Sequence, residues 1–167
     1  LSPLHVGRRQ QEVRETVDNG EQVVEVVRDA ARELAHRLEL LRLLQLRLEL
    51  APRLLHLVKL RASQINGCAY CIALHVTQAE QASEAPQRLH LLPAWRESPG
   101  YDARERAALA WAEALTLVHR SHAPDTDYEA VRAQFNEAET VELTLAIAAI
   151  NAWNRLCIAF RSQPALA

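Results

Sequence analysis

Ten residues, Asn66 to His75, read Asn-Gly-Cys-Ala-Tyr-Cys-Ile-Ala-Leu-His and place two thiols and an imidazole on successive turns of a helical segment. At 3.6 residues per turn, Cys68 and Cys71 (i, i+3), Cys71 and His75 (i, i+4), and Cys68 and His75 (i, i+7) share one face. Two thiols so spaced can interconvert between dithiol and disulfide. With Asn66 as N-cap, Cys68 falls in the first turn, where unpaired N–H groups and the helix dipole stabilise a thiolate. Cys71 lies a turn deeper and faces His75, which can accept its proton or hold it as an ion pair. The dipole favours Cys68 as the attacking thiol and the imidazole favours Cys71; we take Cys71 as nucleophile and Cys68 as resolving thiol. The chemistry open to such a pair is cleavage of a hydroperoxide O–O bond by the thiolate. The sulfenic acid then condenses with the neighbouring thiol to a disulfide, which an external dithiol reduces.

Two plainer accounts compete. The cysteines can be small buried hydrophobes and His75 a hydrogen-bonded core residue. They can also supply three ligands to zinc, but a structural site needs a fourth, for which His56 and His90 are the nearby candidates in sequence, and a continuous helix brings no second pair.

The elements that must position this decad are helices. Glycine and proline punctuate the chain sparsely, and the segments between them can all be helical. From Glu21 to Ala51 no breaker occurs and leucine is dense. The Val23-Val24-Glu25-Val26-Val27 stretch has strand propensity, yet nothing else in the chain offers a strand to pair with it, so it is read as helix. Pro52 suits the first turn of a helix running to about Gln64, joined by an Ile65-Asn66-Gly67 corner to the helix carrying the thiols. Asp102 with Glu105, Thr126 with Glu129, and Asn136 with Glu139 each show the reciprocal capping pattern and predict three further helix starts. The last helix, roughly Glu137 to Arg161, is apolar nearly all round, with Val141, Leu145, Ala148 and Ala152 on one side and Leu143, Ile147, Ile150 and Cys157 on another. Such a helix belongs in the middle of a bundle or at a subunit interface. The expected architecture is all-α, with residues 1–51 as an amino-terminal helical arm and residues 52–167 as the core, together forming one structural domain.

Composition removes several function classes. The chain has 19 basic and 21 acidic residues, a net charge of −2 and no basic cluster that would trace a phosphate backbone, so nucleic acid is not an expected partner. Three cysteines, two of them within a four-residue span and the third, Cys157, alone in an apolar stretch, do not make a secreted disulfide framework and suit a reducing cytoplasm. Residues 1–11 lack the apolar segment of a signal peptide, and the longest uncharged apolar run, Leu143 to Asn154, is too short to span a bilayer; no membrane partner is expected.

Other residues have simpler roles. Asn151, Asn154 and Arg155 interrupt the last helix, and buried amides there need backbone or cross-interface hydrogen bonds. Trp95, Trp111 and Trp153 are read as core or interface before pocket lining. Glu113 is a solvated helix glutamate unless the fold brings it to His75. Cys157 is assigned to the core, and His90, His119 and His122 to the surface.

At Leu57 to Ala79, LVKLRASQINGCAYCIALHVTQA, the chain resembles the alkyl hydroperoxidase D-like proteins of the carboxymuconolactone decarboxylase family. The likeness continues through Leu92-Pro93-Ala94-Trp95-Arg96-Glu97-Ser98, through Glu105 to Thr116, and through Ala149-Ile150-Asn151-Ala152-Trp153-Asn154-Arg155, so that it covers roughly Pro52 to Phe160. The resemblance implies an all-helical fold that forms homo-oligomers, with the Cys-x-x-Cys helix near a subunit interface. It implies peroxidase activity in some members, recycled by a lipoylated or thioredoxin-like dithiol; the expected function is a thiol-dependent peroxidase or disulfide reductase acting on hydrogen peroxide or alkyl hydroperoxides, without metal or other cofactor. Cys68 and Cys71 match the family's redox pair and His75 the histidine of its proton relay. The relay glutamate falls on His56, and the residue before the second cysteine, histidine in some members, is Tyr70. A neutral imidazole at His56 can pass a proton but does not stabilise a cationic His75 as a carboxylate would. A non-catalytic redox-sensing or interaction protein of the same fold is the alternative reading.

Overall fold

A computed structural model describes residues 50–164, which lie in the second of the two units, Leu1–Arg47 and Leu48–Ala167, into which the chain divides. Helices expected before Leu50, the Val23 to Val27 stretch among them, lie outside the described residues. Within them the fold is all-α, with no strand. Helix α1 spans Pro52–Asn66, α2 Ala69–Gln81, α3 Pro86–Leu91, α4 Ala103–Thr116, α5 Val118–Ser121, α6 Asp125–Gln134 and α7 Glu137–Ala159, with a short 3-10 turn at Leu92–Ala94.

Local chemistry explains most boundaries. Pro52 opens α1, where its missing N–H costs nothing, and Pro86 opens α3 in the same way. Asp102 and Asn136 each close a full capping box: their side chains accept the backbone N–H of Glu105 (2.8 Å) and Glu139 (2.9 Å), whose carboxylates reach back to the cap N–H. The third expected box does not form. Helix α6 begins at Asp125 behind Pro124, so Thr126 already lies inside its first turn and has no cap N–H to serve; proline's fixed φ sets the start ahead of the hydroxyl.

Helix α1 is the centre of the bundle, packed against α2, α4 and α7, while α4 also meets α6 and α7. One core gathers Leu54, Leu55, Val58, Trp111, Val131, Phe135, Leu143 and Ile147 from α1, α4, α6, α7 and their junctions. A second collects Leu57, Leu60, Ala79, Leu89, Leu92, Trp95, Tyr101 and Leu109. Burying a leucine of this kind contributes on the order of 2 kcal/mol, and these clusters fix the mutual placement of α1, α2 and α7. Trp95 and Trp111 are thus core residues whose indole N–H groups are satisfied by Glu113 (2.9 Å) and Thr144 (3.0 Å).

Helix α7 separates its two apolar sides as its periodicity foretells. Leu143, Ile147 and Ile150 are buried, whereas Val141 and Leu145 are 54 % and 62 % exposed and Ala148 and Ala152 are exposed beside them. By length and composition alone this 23-residue helix could cross a membrane, which the shorter uncharged run in the sequence did not reveal; here its inner face is occupied by α1, α2, α4 and α6.

Candidate functional site

The turn that presents the thiols is built by Gly67. With φ +70°, it ends α1 in the left-handed conformation, and two backbone bonds seal the corner: Gly67 N–H to Gln64 C=O (3.3 Å) and Cys68 N–H to Ser63 C=O (3.1 Å). That pair is a Schellman closure, which glycine makes without a Cβ penalty. The next residue caps the next helix. Contrary to expectation the N-cap of α2 is Cys68, whose sulfur accepts the Cys71 N–H at 3.4 Å, and Asn66 is the last residue of α1. The physical reason is that the Schellman turn consumes Gly67 and Cys68 N–H groups in closing α1, so α2 can start only after Cys68. Cys68 therefore sits at the positive end of α2 with a backbone N–H already aimed at its sulfur.

Asn66 does other work. Its amide donates to the Oδ1 atoms of both Asn151 and Asn154 at 2.8 Å, tying the end of α1 to α7. Asn154, 0 % exposed, donates in turn to Ser63 Oγ (3.0 Å) and lies against the Cys71 sulfur, to which its amide is also a hydrogen-bond donor. Asn151 donates to Thr116 Oγ1 (3.1 Å) and to the Ile147 carbonyl. The buried amides thus find mostly side-chain partners within the chain, where backbone or cross-interface bonds had been expected.

Both thiols of the pair are buried, Cys68 at 2 % and Cys71 at 3 % exposure, and all cysteines of the site are in the reduced form. They have a third companion. Cys157, on the last turns of α7, brings its sulfur to within 4.8 Å of both, so that three Sγ atoms form one cluster. Sequence reading placed Cys157 in the core; it is only partly buried and belongs to the thiol site. Its separation of 86 positions from Cys71 hid it, although its i, i+3 relation to Asn154 offered a signal once either residue was tied to the pair.

Electrostatics set the resting protonation. Burial pushes the Cys71 thiol well up, the neighbouring Cys68 thiol adds to this, and the hydrogen bond from Asn154 opposes it. Burial also raises Cys157, against hydrogen bonds involving Cys71 and Ser162 that pull it down. His75 moves the other way. Burial, then the positive charge of Lys59, push it down to about 4, with His56 acting in the same sense and the bond to Gln78 partly opposing. At neutral pH a protonated Cys71 and an uncharged His75 are favoured, so a thiolate–imidazolium ion pair is not the resting state.

His75 and His56 do come together, their rings 6.3 Å apart between centroids and tilted by 35°. His75 Nδ1 meets Gln78 Oε1 at 2.9 Å; because that oxygen only accepts, the Nδ1–H tautomer is selected and the lone pair rests on Nε2. His56 is thus an imidazole beside an imidazole, where a carboxylate relay would need a glutamate. Glu113 does not supply the carboxylate. It is held by Arg61 (2.7 Å), Trp95 and Arg96; burial would raise its carboxyl, but these three donors outweigh that and hold it below the ordinary range. Tyr70 is 37 % exposed on the outer side of α2 and is not gathered with the buried thiols. His90, His119 and His122 are exposed, as expected.

As a metal site, the three sulfurs rather than the Cys68, Cys71 and His75 set are the candidate ligands. Their chemistry suits a soft ion, but a closed tetrahedral zinc site needs a fourth donor.

Comparisons with known proteins identify the family. The carboxymuconolactone decarboxylase family profile matches residues 32–114. The uncharacterized protein YdfG of Bacillus subtilis is 42 % identical over 109 residues, covering 65 % of this chain and 74 % of that one. Among solved structures, a protein of unknown function from Agrobacterium tumefaciens, named as a candidate antioxidant defence protein AhpD, is 45 % identical with a TM-score of 0.70. That match covers 71 % of this chain and 82 % of the other. An uncharacterized peroxidase-related protein from Silicibacter sp. TM1040 is 27 % identical with a TM-score of 0.64, over 70 % and 61 % of the two chains. With the helical bundle, the Cys-x-x-Cys turn and these relatives together, the chain belongs to the carboxymuconolactone decarboxylase family, as an alkyl hydroperoxidase D-like member.

Proposed function

We propose that the protein is a cysteine-based peroxidase, an oxidoreductase that reduces hydrogen peroxide or alkyl hydroperoxides through a Cys68–Cys71 dithiol/disulfide cycle. The observation that carries this reading is the turn itself: two buried thiols one helical turn apart, with the sulfur of Cys68 set at the N-terminus of α2 against the N–H of Cys71. Family membership and the names of the Agrobacterium and Silicibacter relatives support it.

In this reading Cys71 is the nucleophile. Because its thiol is held protonated, deprotonation has to accompany attack; we assign the acceptor role to His75, which is uncharged with a basic Nε2 and lies one turn along α2 from Cys71. The thiolate attacks one oxygen of ROOH; the S–O bond forms, the O–O bond breaks, and RO⁻ leaves and is protonated to ROH. The Cys68 thiol then displaces water from the sulfenic acid to give the disulfide. An external dithiol, of the lipoylated or thioredoxin-like class, donates two electrons and restores both thiols. His56 serves as the outer member of the proton relay, and without a carboxylate the imidazolium at His75 is short-lived, which favours proton release over storage. We further propose that copies of the chain associate through the exposed face of α7, since Val141 and Leu145 leave an apolar stripe uncovered.

The test is thiol titration before and after one equivalent of an organic hydroperoxide. Loss of two thiols per chain within seconds, abolished by Cys71→Ser, is expected. Loss only over hours would reject the peroxidase in favour of a redox-sensing or structural role.

A further inference from the structure

The proposed cycle leaves a difficulty of access. A disulfide is reduced when a thiolate approaches one sulfur in line with the S–S bond, and the attacked sulfur must be reachable. Cys68 and Cys71 are almost wholly buried, so a bridge between them offers little to a dithiol carried on another molecule. Cys157 is partly exposed, and its sulfur lies within 4.8 Å of both partners. It reaches the site from a different helix, three residues after Asn154, the buried amide that touches Cys71. Helix α7 thus delivers a hydrogen-bond donor and a thiol to Cys71 from adjacent turns of one face. Ser162 stands by Cys157, its N–H bonded to the Cys157 carbonyl (2.9 Å) and its hydroxyl beside the sulfur.

We propose that Cys157 is a third redox thiol, which carries the disulfide from the buried pair to the surface, where the external dithiol reduces it. The inference rests on the Cys68–Cys71 cycle proposed above. In the exchange step the Cys157 thiol loses its proton and its sulfur attacks Cys71 Sγ. The Cys71–Cys157 bond forms, the Cys68–Cys71 bond breaks, and Cys68 leaves as a thiolate that takes up a proton. Cys68 is a suitable leaving group because its sulfur already accepts the Cys71 N–H at the start of α2. No net oxidation occurs in this step. The donor's first thiolate then attacks Cys157 Sγ, the sulfur of the least buried residue of the three, and Cys71 leaves and is protonated. The donor's second thiol resolves the mixed disulfide, so that two electrons enter for the two spent on the hydroperoxide.

The sequence provides a clean readout, since trypsin leaves Cys68 and Cys71 together in residues 62–88 and Cys157 alone in residues 156–161. The full chain, reduced, is treated in parallel with one equivalent of cumene hydroperoxide and one of diamide, which forms disulfides without a peroxide, then alkylated and mapped by mass spectrometry. A disulfide-linked 62–88/156–161 peptide is expected from both. Cys157→Ser should still lose two thiols to the hydroperoxide, while its steady-state turnover with a thioredoxin donor falls by about tenfold or more and its turnover with dithiothreitol falls less. In Cys68→Ser, residual turnover that disappears on adding Cys157→Ser is the matching result. Absence of the linked peptide after diamide, or wild-type turnover with thioredoxin in Cys157→Ser, overturns the proposal. If diamide yields the linked peptide and the hydroperoxide consumes no thiols, the three-thiol exchange stands and the peroxidase reading fails.

Discussion

The protonation of His75 can be tested through stability. Its imidazole titrates near 6.5 in an unfolded chain and at about 4 in the folded one, because burial and Lys59 disfavour the cation. As pH falls through 6.5 the unfolded state takes up a proton that the native state refuses, and stability drops; the effect is absent above 6.5 and complete only below about 4. The full difference is about 3 kcal/mol, of which about 2 kcal/mol falls between pH 7 and pH 5. Urea unfolding of wild type and His75→Gln, followed by circular dichroism across this range, isolates the contribution: glutamine retains an amide beside Gln78 but does not titrate. With an m-value near ~2 kcal/mol per molar urea, the wild-type midpoint should fall about 1 M further than that of the variant between pH 7 and pH 5. If wild type instead gains stability relative to His75→Gln on acidification, His75 is the cationic half of an ion pair, and proton transfer during attack is not how Cys71 is activated.

Other consequences are more local. Gly67→Ala should cost about 1 kcal/mol in chemical denaturation, a purely conformational penalty, since a Cβ there meets nothing within 4 Å. Asn154→Ala removes three hydrogen-bonded contacts, but Asn66 keeps Asn151 and Ser63 keeps the Lys59 carbonyl, so about 2 kcal/mol is expected rather than the larger loss of a fully orphaned network. Asn136→Ala should lower thermal stability by about 1 kcal/mol through loss of the cap of α7, with the thiol count unchanged. Leu145→Glu should reduce the molar mass seen by light scattering if α7 joins copies of the chain, and leave it unchanged if not.

Much of the fold could be read from punctuation and period. Pro52, Asp102 and Asn136 mark helix starts by chemistry confined to four residues, and the two sides of α7 follow from the 3.6-residue repeat. Thr126 misled because the same local pattern sits within the first turn of a helix that proline had already begun. The position of Cys68 depended on competition for two N–H groups between the end of one helix and the start of another, which a capping motif read in isolation does not weigh.

The order of residues along α2 was enough to identify two thiols and an imidazole on neighbouring turns, because covalent spacing dictates helical neighbours. It could not say that Cys157 joins them, that Glu113 is held by two arginines and an indole, or that His75 is uncharged beside His56. Those facts arise from contacts between elements separated in sequence and from burial as the helices pack. Burial and long-range proximity, which set the charge and reach of every group at the site, exist only once the bundle has closed.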